Sequence, residues 1–293
     1  MITTPDTSER ADYTRLARTL WIFWAQGEDH APFVVKQCIS SWRALNPGWD
    51  IRVLDQASLR QTIDLEGLEN RRDIPLQALS DIIRVKLLTI HGGVWADASL
   101  YCARPLDAWL PRHYQDHFFA FASKRRDRVM TTWFLAGNAE SPLLRQWTAD
   151  MIGFWHANRF RGNSYWGRQI LRKLMSLRKR HIVSNDIWFS RFVLQRLRLF
   201  PYPINMYLFE RMLDRNPPLE ALWKNRTHLY DTPAEYLQNR LGMNAAVDDT
   251  ARKFIAGPTT PVHKLNWRQD KGAAAQGSNL EFLLSLSRPG KES

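Results

Sequence analysis

Residues 92–99, Gly92-Gly93-Val94-Trp95-Ala96-Asp97-Ala98-Ser99, indicate the fold more directly than any other segment of the chain. They follow a helix predicted from Pro75 to His91, in which leucines and isoleucines recur at helical spacing. The glycine pair predicts the end of this helix, because glycine readily adopts the left-handed conformation found there. Val94-Trp95-Ala96 is typical of a short buried strand, so Asp97 and Ser99 are placed at its carboxyl end.

Towards the N-terminus the chain alternates strand and helix. Leu20–Trp24 is a short apolar run, and Trp49–Asp55 has the alternating pattern of a second strand. Between them, Pro32–Leu45 has apolar residues at helical spacing. Such a βαβ unit predicts an α/β fold with parallel strands, in which ligands bind beyond the carboxyl ends of the strands. Asp97 is therefore the expected ligand-binding carboxylate.

Towards the C-terminus the pattern predicts further strands and then mainly helices. We expect strands at Phe118–Phe121 and Thr132–Leu135, and helices at Leu143–Trp155, Trp166–Met175 and Asp186–Leu197. The aromatic, proline-punctuated segment 202–236 gives no assignment. The expected fold is a mixed sheet with flanking helices and an added helical, aromatic-rich lobe. Residues 1–11 are expected to form a disordered tail, and residues 270–293 a flexible one.

Charge is concentrated in one part of the chain. The net charge of the 293 residues is +12, and residues 159–198 hold eleven lysines or arginines and a single acid, Asp186. This composition predicts a surface that attracts nucleoside diphosphates, nucleic acid or an anionic membrane. No zinc-ligand spacing, RNA-binding motif or helix-turn-helix pattern occurs, so we expect no nucleic acid partner.

The expected cellular compartment follows from the cysteine content and from the absence of targeting and membrane-span patterns. The two cysteines, Cys38 and Cys102, are interpreted as buried free thiols of a reducing compartment. No signal-peptide pattern and no run of about 18 apolar residues is present. We expect a cytoplasmic protein, with peripheral contact at the inner membrane.

The chemistry-bearing residues lie on the predicted helix and at the end of the strand after it. Mg²⁺ and Mn²⁺ prefer oxygen ligands, and a carboxylate at a strand end supplies one. Alternatives remain for each residue. Asp81 and Arg84 have the spacing of a surface ion pair on a helix. Asp97 has the place of a turn cap, and Trp24 that of a core residue.

Two segments resemble bacterial capsular polysaccharide synthesis proteins: LWIFWAQG (20–27) with CISSWRALNPGW (38–49), and SDIIRVKLLTIHGGVWADAS (80–99). These proteins are similar to retaining glycosyltransferases that include the yeast initiating mannosyltransferase and the large clostridial glucosylating toxins. The resemblance covers residues 20–106, with a weaker similarity at 259–267. It implies a GT-A type, Rossmann-like fold and hexosyltransferase-like transfer from a nucleotide-sugar donor. The single glycosyltransferase domain would span 12–269, with a donor-binding half at about 18–140 and an acceptor-side lobe at about 141–250.

The resemblance also implies roles for individual residues. Asp97 would be the first acid of an Asp-x-Asp motif, and it would act with Arg84 in catalysis. Trp24 would stack on the nucleobase, and Asp81 would hydrogen-bond sugar hydroxyls. His263, Lys264 and Trp267, all in the C-terminal segment, would close over the diphosphate. The implied donor-binding residues are Trp24, Asp81, Arg84, Trp95, Ala96, Asp97, Lys264 and Trp267.

Ser99 stands where the motif has its second acid. A hydroxyl is neutral and a weaker ligand, so metal binding is expected to be weaker than in a two-acid site. The expected ligands of Mn²⁺ or Mg²⁺ are Asp97, Ser99 and His263. The sequence names no residue for a covalent intermediate, so retention by front-face attack is the expected mechanism.

Three functions follow from the resemblance. The first is sugar transfer to a glycan or lipid-linked acceptor in capsular polysaccharide synthesis. The alternatives are an effector-type protein glycosyltransferase and a catalytically inactive, glycan-binding relative.

Overall fold

The computed structural model describes residues 12–161 and 165–286. Within these residues, five strands form one sheet in the order β2-β1-β3-β6-β5, and two further strands pair as a separate ribbon, β4-β7. The strands are β1 Thr19–Phe23, β2 Asp50–Leu54, β3 Gly93–Ala96, β4 Leu100–Cys102, β5 Phe118–Ala122, β6 Met130–Gly137 and β7 Val262–Lys264.

The main sheet is mixed, as predicted. Strand β1 runs parallel to both β2 and β3, whereas β6 is antiparallel to β3 and β5. Gly93 begins β3 with φ at 105°, and a Cβ atom there would lie 2.3 Å from the Thr19 carbonyl oxygen. Only glycine fits at this position, because the backbones of β3 and β1 approach each other so closely.

Helices cover both faces of the sheet. In the described residues they are α1 Phe33–Leu45, α2 Gln56–Thr62, α3 Leu76–His91, α4 Pro142–Ala157, α5 Tyr165–Lys179, α6 Ile204–Arg215, α7 Pro217–Lys224, α8 Asp231–Tyr236, α9 Asp249–Ala256 and α10 Asn279–Leu286. None of them combines the length and the apolar character that crossing a bilayer requires.

Alternate residues of each strand enter two separate cores. On β1, Trp21 and Phe23 pack on the face that carries α3, α4 and α6, whereas Leu20 and Ile22 pack on the α1 face. This alternation follows from the two-residue period of a strand, and both faces are apolar because helices cover both. The α/β fold class predicted from the sequence is therefore confirmed.

In two segments of the helical region the structure shows more than, or something other than, the sequence predicted. The continuous helix expected at Asp186–Leu197 is a 3₁₀ turn, Asn185–Phe189, followed by a π-helical turn, Phe192–Leu197. The unassigned segment 202–236 contains the helices α6, α7 and α8. Apolar contacts inside the lobe order this segment although it has many prolines, since Ile204, Tyr207 and Phe209 are fully buried.

Within residues 270–293, where the sequence predicts a flexible tail, Asn279–Leu286 form the helix α10. Helix α10 packs Leu280, Leu283 and Leu284 into a third apolar core, together with Tyr101 of β4 and Leu265. Burial of these leucines stabilises the helix and outweighs the polar, glycine-containing segment before it. The expected tails at 1–11 and 287–293 lie outside the described residues.

Candidate active site

Asp97 lies immediately after β3, at the carboxyl edge of the parallel strands. Its backbone N–H donates to the Trp133 carbonyl oxygen (2.8 Å), which holds it against β6. Its carboxylate contacts three side chains: Trp95 Nε1 at 3.1 Å, Arg84 Nη2 at 3.3 Å and Lys264 Nζ at 2.9 Å. The carboxylate thus binds cationic and N–H groups rather than capping a turn.

Arg84 is the centre of the network around Asp97. Its Nε donates to the Ser80 carbonyl oxygen and its Nη2 to the Ser80 hydroxyl. Its Nη1 donates to the Thr132 carbonyl oxygen at 2.6 Å and pairs with Asp81 at 2.9 Å, and Nη2 also pairs with Asp97. Three of these contacts are hydrogen bonds and two are ion pairs, so all three guanidinium nitrogens have partners in the protein. The predicted contact of Arg84 with the donor would therefore require one of these bonds to break.

Asp81 is held in place from three directions. Besides Arg84, it accepts hydrogen bonds from Thr132 Oγ1 (3.2 Å) and from Asn205 Nδ2 (3.0 Å). The pair with Arg84 is buried, with 6% and 13% of the two side chains exposed, so the surface ion pair considered from the sequence is excluded. Burial raises the pKa of Asp81, although Arg84 and Asn205 act in the opposite direction.

Lys264 completes the charged cluster from the β4-β7 ribbon. Its Nζ donates to Asp97 Oδ2 at 2.9 Å and to Ser99 Oγ at 3.0 Å. Strand β7 pairs Lys264 with Leu100, which places the lysine beside the chain that follows Asp97. Burial would raise the pKa of Asp97, but the charges of Lys264 and Arg84 outweigh it and lower that pKa.

His263 faces away from this cluster, which contradicts its expected role as a metal ligand. It pairs with Tyr101 in the ribbon, and its ring lies 6.0 Å from the Phe254 ring. Neighbouring residues of a strand point to opposite faces, so His263 cannot share a site with Lys264. It is 1% exposed, its Nδ1 has no partner among the described residues, and burial lowers its pKa to about 4.

Without His263, the other two predicted ligands, Asp97 and Ser99, do not form the metal site expected from the sequence. Among residues 12–161 and 165–286, no three His, Cys, Asp or Glu side chains cluster as metal ligands. Of the predicted ligands only Asp97 and Ser99 lie together, and both bind the Lys264 ammonium. A divalent cation between them would have to displace that ammonium.

Two predicted donor-binding tryptophans meet at the same edge of the sheet. Trp24 follows β1, and its ring meets the Trp267 ring edge-on with centroids 5.3 Å apart. Trp267 is partly exposed, and the Arg268 guanidinium lies 5.1 Å from its ring centroid. The two ring planes are nearly perpendicular, so each ring would offer its own face to a ligand rather than a shared flat surface.

Two other predicted donor-binding residues lie behind the site. Trp95 and Ala96 are fully buried in β3. The Trp95 ring lies 5.2 Å from the Arg84 guanidinium and its N–H binds Asp97, so it supports the two charged side chains from the protein interior.

Sequence reasoning missed Thr132, Asn205 and Tyr202. Asn205 is fully buried and joins Asp81 to Trp155, whose Nε1 donates to Asn205 Oδ1 at 3.1 Å. Tyr202 is 71% exposed, and its pKa is raised by partial desolvation and by the charges of Asp81 and Asp97. No local pattern distinguishes these residues, since Asn205 is 124 positions from Asp81.

Known proteins with similar sequences are glycosyltransferases. Over 112 residues, 31% of this chain, it is 33% identical to glycosyltransferase afumC of Aspergillus fumigatus. Over 158 residues, 47% of this chain, it is 25% identical to O-glycosyltransferase braB of Annulohypoxylon truncatum. The putative glycosyltransferase HOC1 of Saccharomyces cerevisiae is 27% identical over 99 residues, 31% of this chain. These matches span 27%, 38% and 24% of the relatives' own lengths.

A solved structure and a protein family also match. The structure of the PaToxG glycosyltransferase aligns with a TM-score of 0.38 and 10% identity, covering 70% of this chain and 90% of that one. The family match runs over residues 3–188, more than half of the chain. The protein therefore belongs to the capsular polysaccharide synthesis protein family.

Proposed function

We propose that the protein is a GT-A type glycosyltransferase that moves a sugar from a nucleoside diphosphate to a hydroxyl of a glycan or lipid-linked acceptor. The bond between the anomeric carbon and the diphosphate breaks, and the diphosphate leaves with the electron pair. The acceptor oxygen forms the new bond on the same face, so the configuration is retained. The departing phosphate takes the acceptor's proton. The protein's part is to position the reactants and to stabilise charge.

The observation that carries the proposal is the charged cluster at the carboxyl edge of β3. Arg84 and Lys264 lie 3.3 Å and 2.9 Å from the Asp97 carboxylate, at the edge where open α/β sheets bind nucleotides. Trp24 and Trp267 lie at the same edge, and such rings suit a nucleobase or a sugar face. We propose that Lys264, Trp24 and Trp267 contact the donor, and that Asp81, Arg84 and Trp95 hold Asp97 in position.

A panel of nucleotide sugars tests this proposal. We expect one donor to be hydrolysed by the purified protein, and we expect Asp97→Ala to abolish that hydrolysis. Asp50→Ala is the matched control, because Asp50 is an exposed acid at the far edge of the sheet. If a donor binds but no acceptor in a panel of glycans is glycosylated, the alternative of a catalytically inactive, glycan-binding relative is favoured. If no donor binds, the proposal is wrong.

The acceptor side is suggested by the exposed face of α5. Trp166 is 74% exposed, and Ile170, one turn later on the same side, is also exposed. The rest of the exposed face of the helix carries the basic residues Arg172, Lys173 and Lys179, with Lys173 one turn after Ile170. An exposed apolar stripe beside a basic one is the pattern of a helix that lies on an anionic membrane. We propose that this α5 face binds an anionic bilayer in which a lipid-linked acceptor is embedded.

Vesicle flotation tests the membrane contact. The protein is expected to float with vesicles rich in phosphatidylglycerol but not with vesicles of phosphatidylcholine alone. The double variant Trp166→Ser, Ile170→Ser should remain unbound, whereas Ile90→Ser should float normally because Ile90 is exposed on the distant helix α3. Equal binding to both kinds of vesicle, or normal flotation of the double variant, would contradict the proposal.

A further inference from the structure

We propose that the Lys264 ammonium, held between Asp97 and Ser99, takes the place of a divalent cation, so that the protein binds and activates its donor without metal. This inference rests on the proposed function, because it concerns the diphosphate of the same donor. Its basis is the set of contacts between the β4-β7 ribbon and the end of β3. It opposes the metal dependence that the resemblance implied.

The geometry places the ammonium where a cation would bind. Lys264 Nζ lies 2.9 Å from Asp97 Oδ2 and 3.0 Å from Ser99 Oγ, the two oxygen donors that the sequence indicated for metal. An ammonium has three N–H donors, and these contacts use two of them. Among the described residues the third has no protein acceptor, so it remains for an oxygen of the diphosphate.

Charge balance explains why serine and lysine occur together. In a site with two carboxylates and a divalent cation, the protein groups and the metal sum to zero. Asp97 with a single ammonium also sums to zero, provided that the second position is neutral, as Ser99 is. An aspartate at position 99 would leave one carboxylate unbalanced beside an anionic substrate, which is costly in a partly buried site. The serine is thus the complement of the lysine.

The lysine is held rigidly enough to serve this role. Its backbone belongs to β7, which pairs with β4, and the next residue donates its N–H to the Ser99 carbonyl oxygen at 2.9 Å. Only 16% of the Lys264 side chain and 26% of the Asp97 side chain are exposed. A cation fixed in a site with little water stabilises developing negative charge more than one that must first be reoriented. Lys264 would therefore stabilise the diphosphate as it leaves with the bonding electrons.

Calorimetric binding of UDP and GDP tests this inference apart from turnover. The protein is first treated with EDTA and then titrated in EDTA or in excess Mn²⁺. We expect one nucleoside diphosphate to bind with the same affinity in both media. Lys264→Met should weaken that binding by about 10- to 100-fold, the usual range for a hydrogen bond to a charged group, and Mn²⁺ should not restore it. Lys253→Met, at an exposed lysine of α9, should bind like the wild type.

A double variant tests the charge argument. Ser99→Asp with Lys264→Ala supplies two carboxylates and removes the ammonium, so its diphosphate binding should become dependent on Mn²⁺. The wild-type titration decides the inference even if both variants fold poorly. Binding of the wild type in Mn²⁺ but not in EDTA would overturn the role of Lys264 and leave the proposed function standing. Binding in neither medium would overturn the proposed function and this inference with it.

Discussion

The charged cluster around Asp97 and the basic face of α5 both consist mainly of polar and charged side chains, but they are built in opposite ways. In the cluster, the Arg84 side chain is 6% exposed and each of its three nitrogens has a partner in the protein. On α5, exposed basic residues are neighbours in sequence and lie beside Trp166, which is 74% exposed.

The difference separates two kinds of recognition. A buried, fully paired cluster has one geometry, because breaking any contact leaves a charge without a partner. Such a cluster suits a single small ligand in a fixed orientation. A solvated basic face has many equivalent geometries and acts through summed charge, which suits a large anionic surface. Substitutions should accordingly have large and specific effects in the first region, and small, salt-dependent effects in the second.

The largest effect is expected from Arg84→Met. The variant loses five contacts and leaves Asp81 buried without its counter-charge, so the free energy of unfolding should fall by about 4 kcal/mol. Urea denaturation measures it. Arg172→Met, on the exposed face of α5, should change the free energy of unfolding by less than about 0.5 kcal/mol. Similar losses in the two variants would remove the distinction between the regions.

The next effect concerns turnover. Asp97→Asn keeps the shape of the side chain and removes the charge that holds Lys264, so donor turnover should fall by roughly 10²- to 10³-fold. Steady-state kinetics with the donor identified in the panel measure it, and Arg172→Met should keep normal turnover on a soluble acceptor. Unchanged turnover in Asp97→Asn would show that the cluster only stabilises the fold.

A third prediction uses the buried His263, behind the cluster. Its pKa is about 4 in the folded protein, below the ordinary value near 6.5, so the unfolded chain binds the proton first as the pH falls. The contribution of His263 to the free energy of unfolding is therefore fully present above about pH 6.5. It falls by about 3 kcal/mol as the pH falls towards 4. His263→Phe should abolish that loss in denaturation curves at pH 7 and pH 4. His181→Asn, at an exposed histidine after α5, should retain it.

The smallest effect is expected from salt. Raising the salt concentration from about 0.05 M to about 0.3 M should weaken binding to anionic vesicles by about tenfold, since the α5 face acts through screened charge. The free energy of unfolding should stay nearly constant, because the ion pairs around Arg84 are buried. Vesicle sedimentation measures the binding and urea denaturation measures the free energy of unfolding, each at the two salt concentrations. Salt-independent vesicle binding would contradict the electrostatic account.

Much of the donor side was predictable because its signals are local. The strands β1, β2 and β3 and the helix that carries Asp81 and Arg84 follow from apolar periodicity and from the glycine pair. The meeting of Asp97 with Lys264 was indicated by the resemblance alone, since 167 positions separate them. The helical lobe at about 141–250 was less predictable, because its helices contain prolines and aromatic residues and are stabilised by tertiary packing.

Local sequence was sufficient to specify the alternation of apolar residues, the glycine on which β3 depends and the identity of the charged groups. These features depend on backbone sterics and on periodicity, which act over a few residues. The contacts between the charged groups, in contrast, depend on the three-dimensional fold. His263 and Lys264 are neighbours with similar chemistry, yet the register of β7 against β4 turns one into the core and the other to Asp97. Strand register depends on packing across the whole fold, and a shift by a single residue exchanges the two faces.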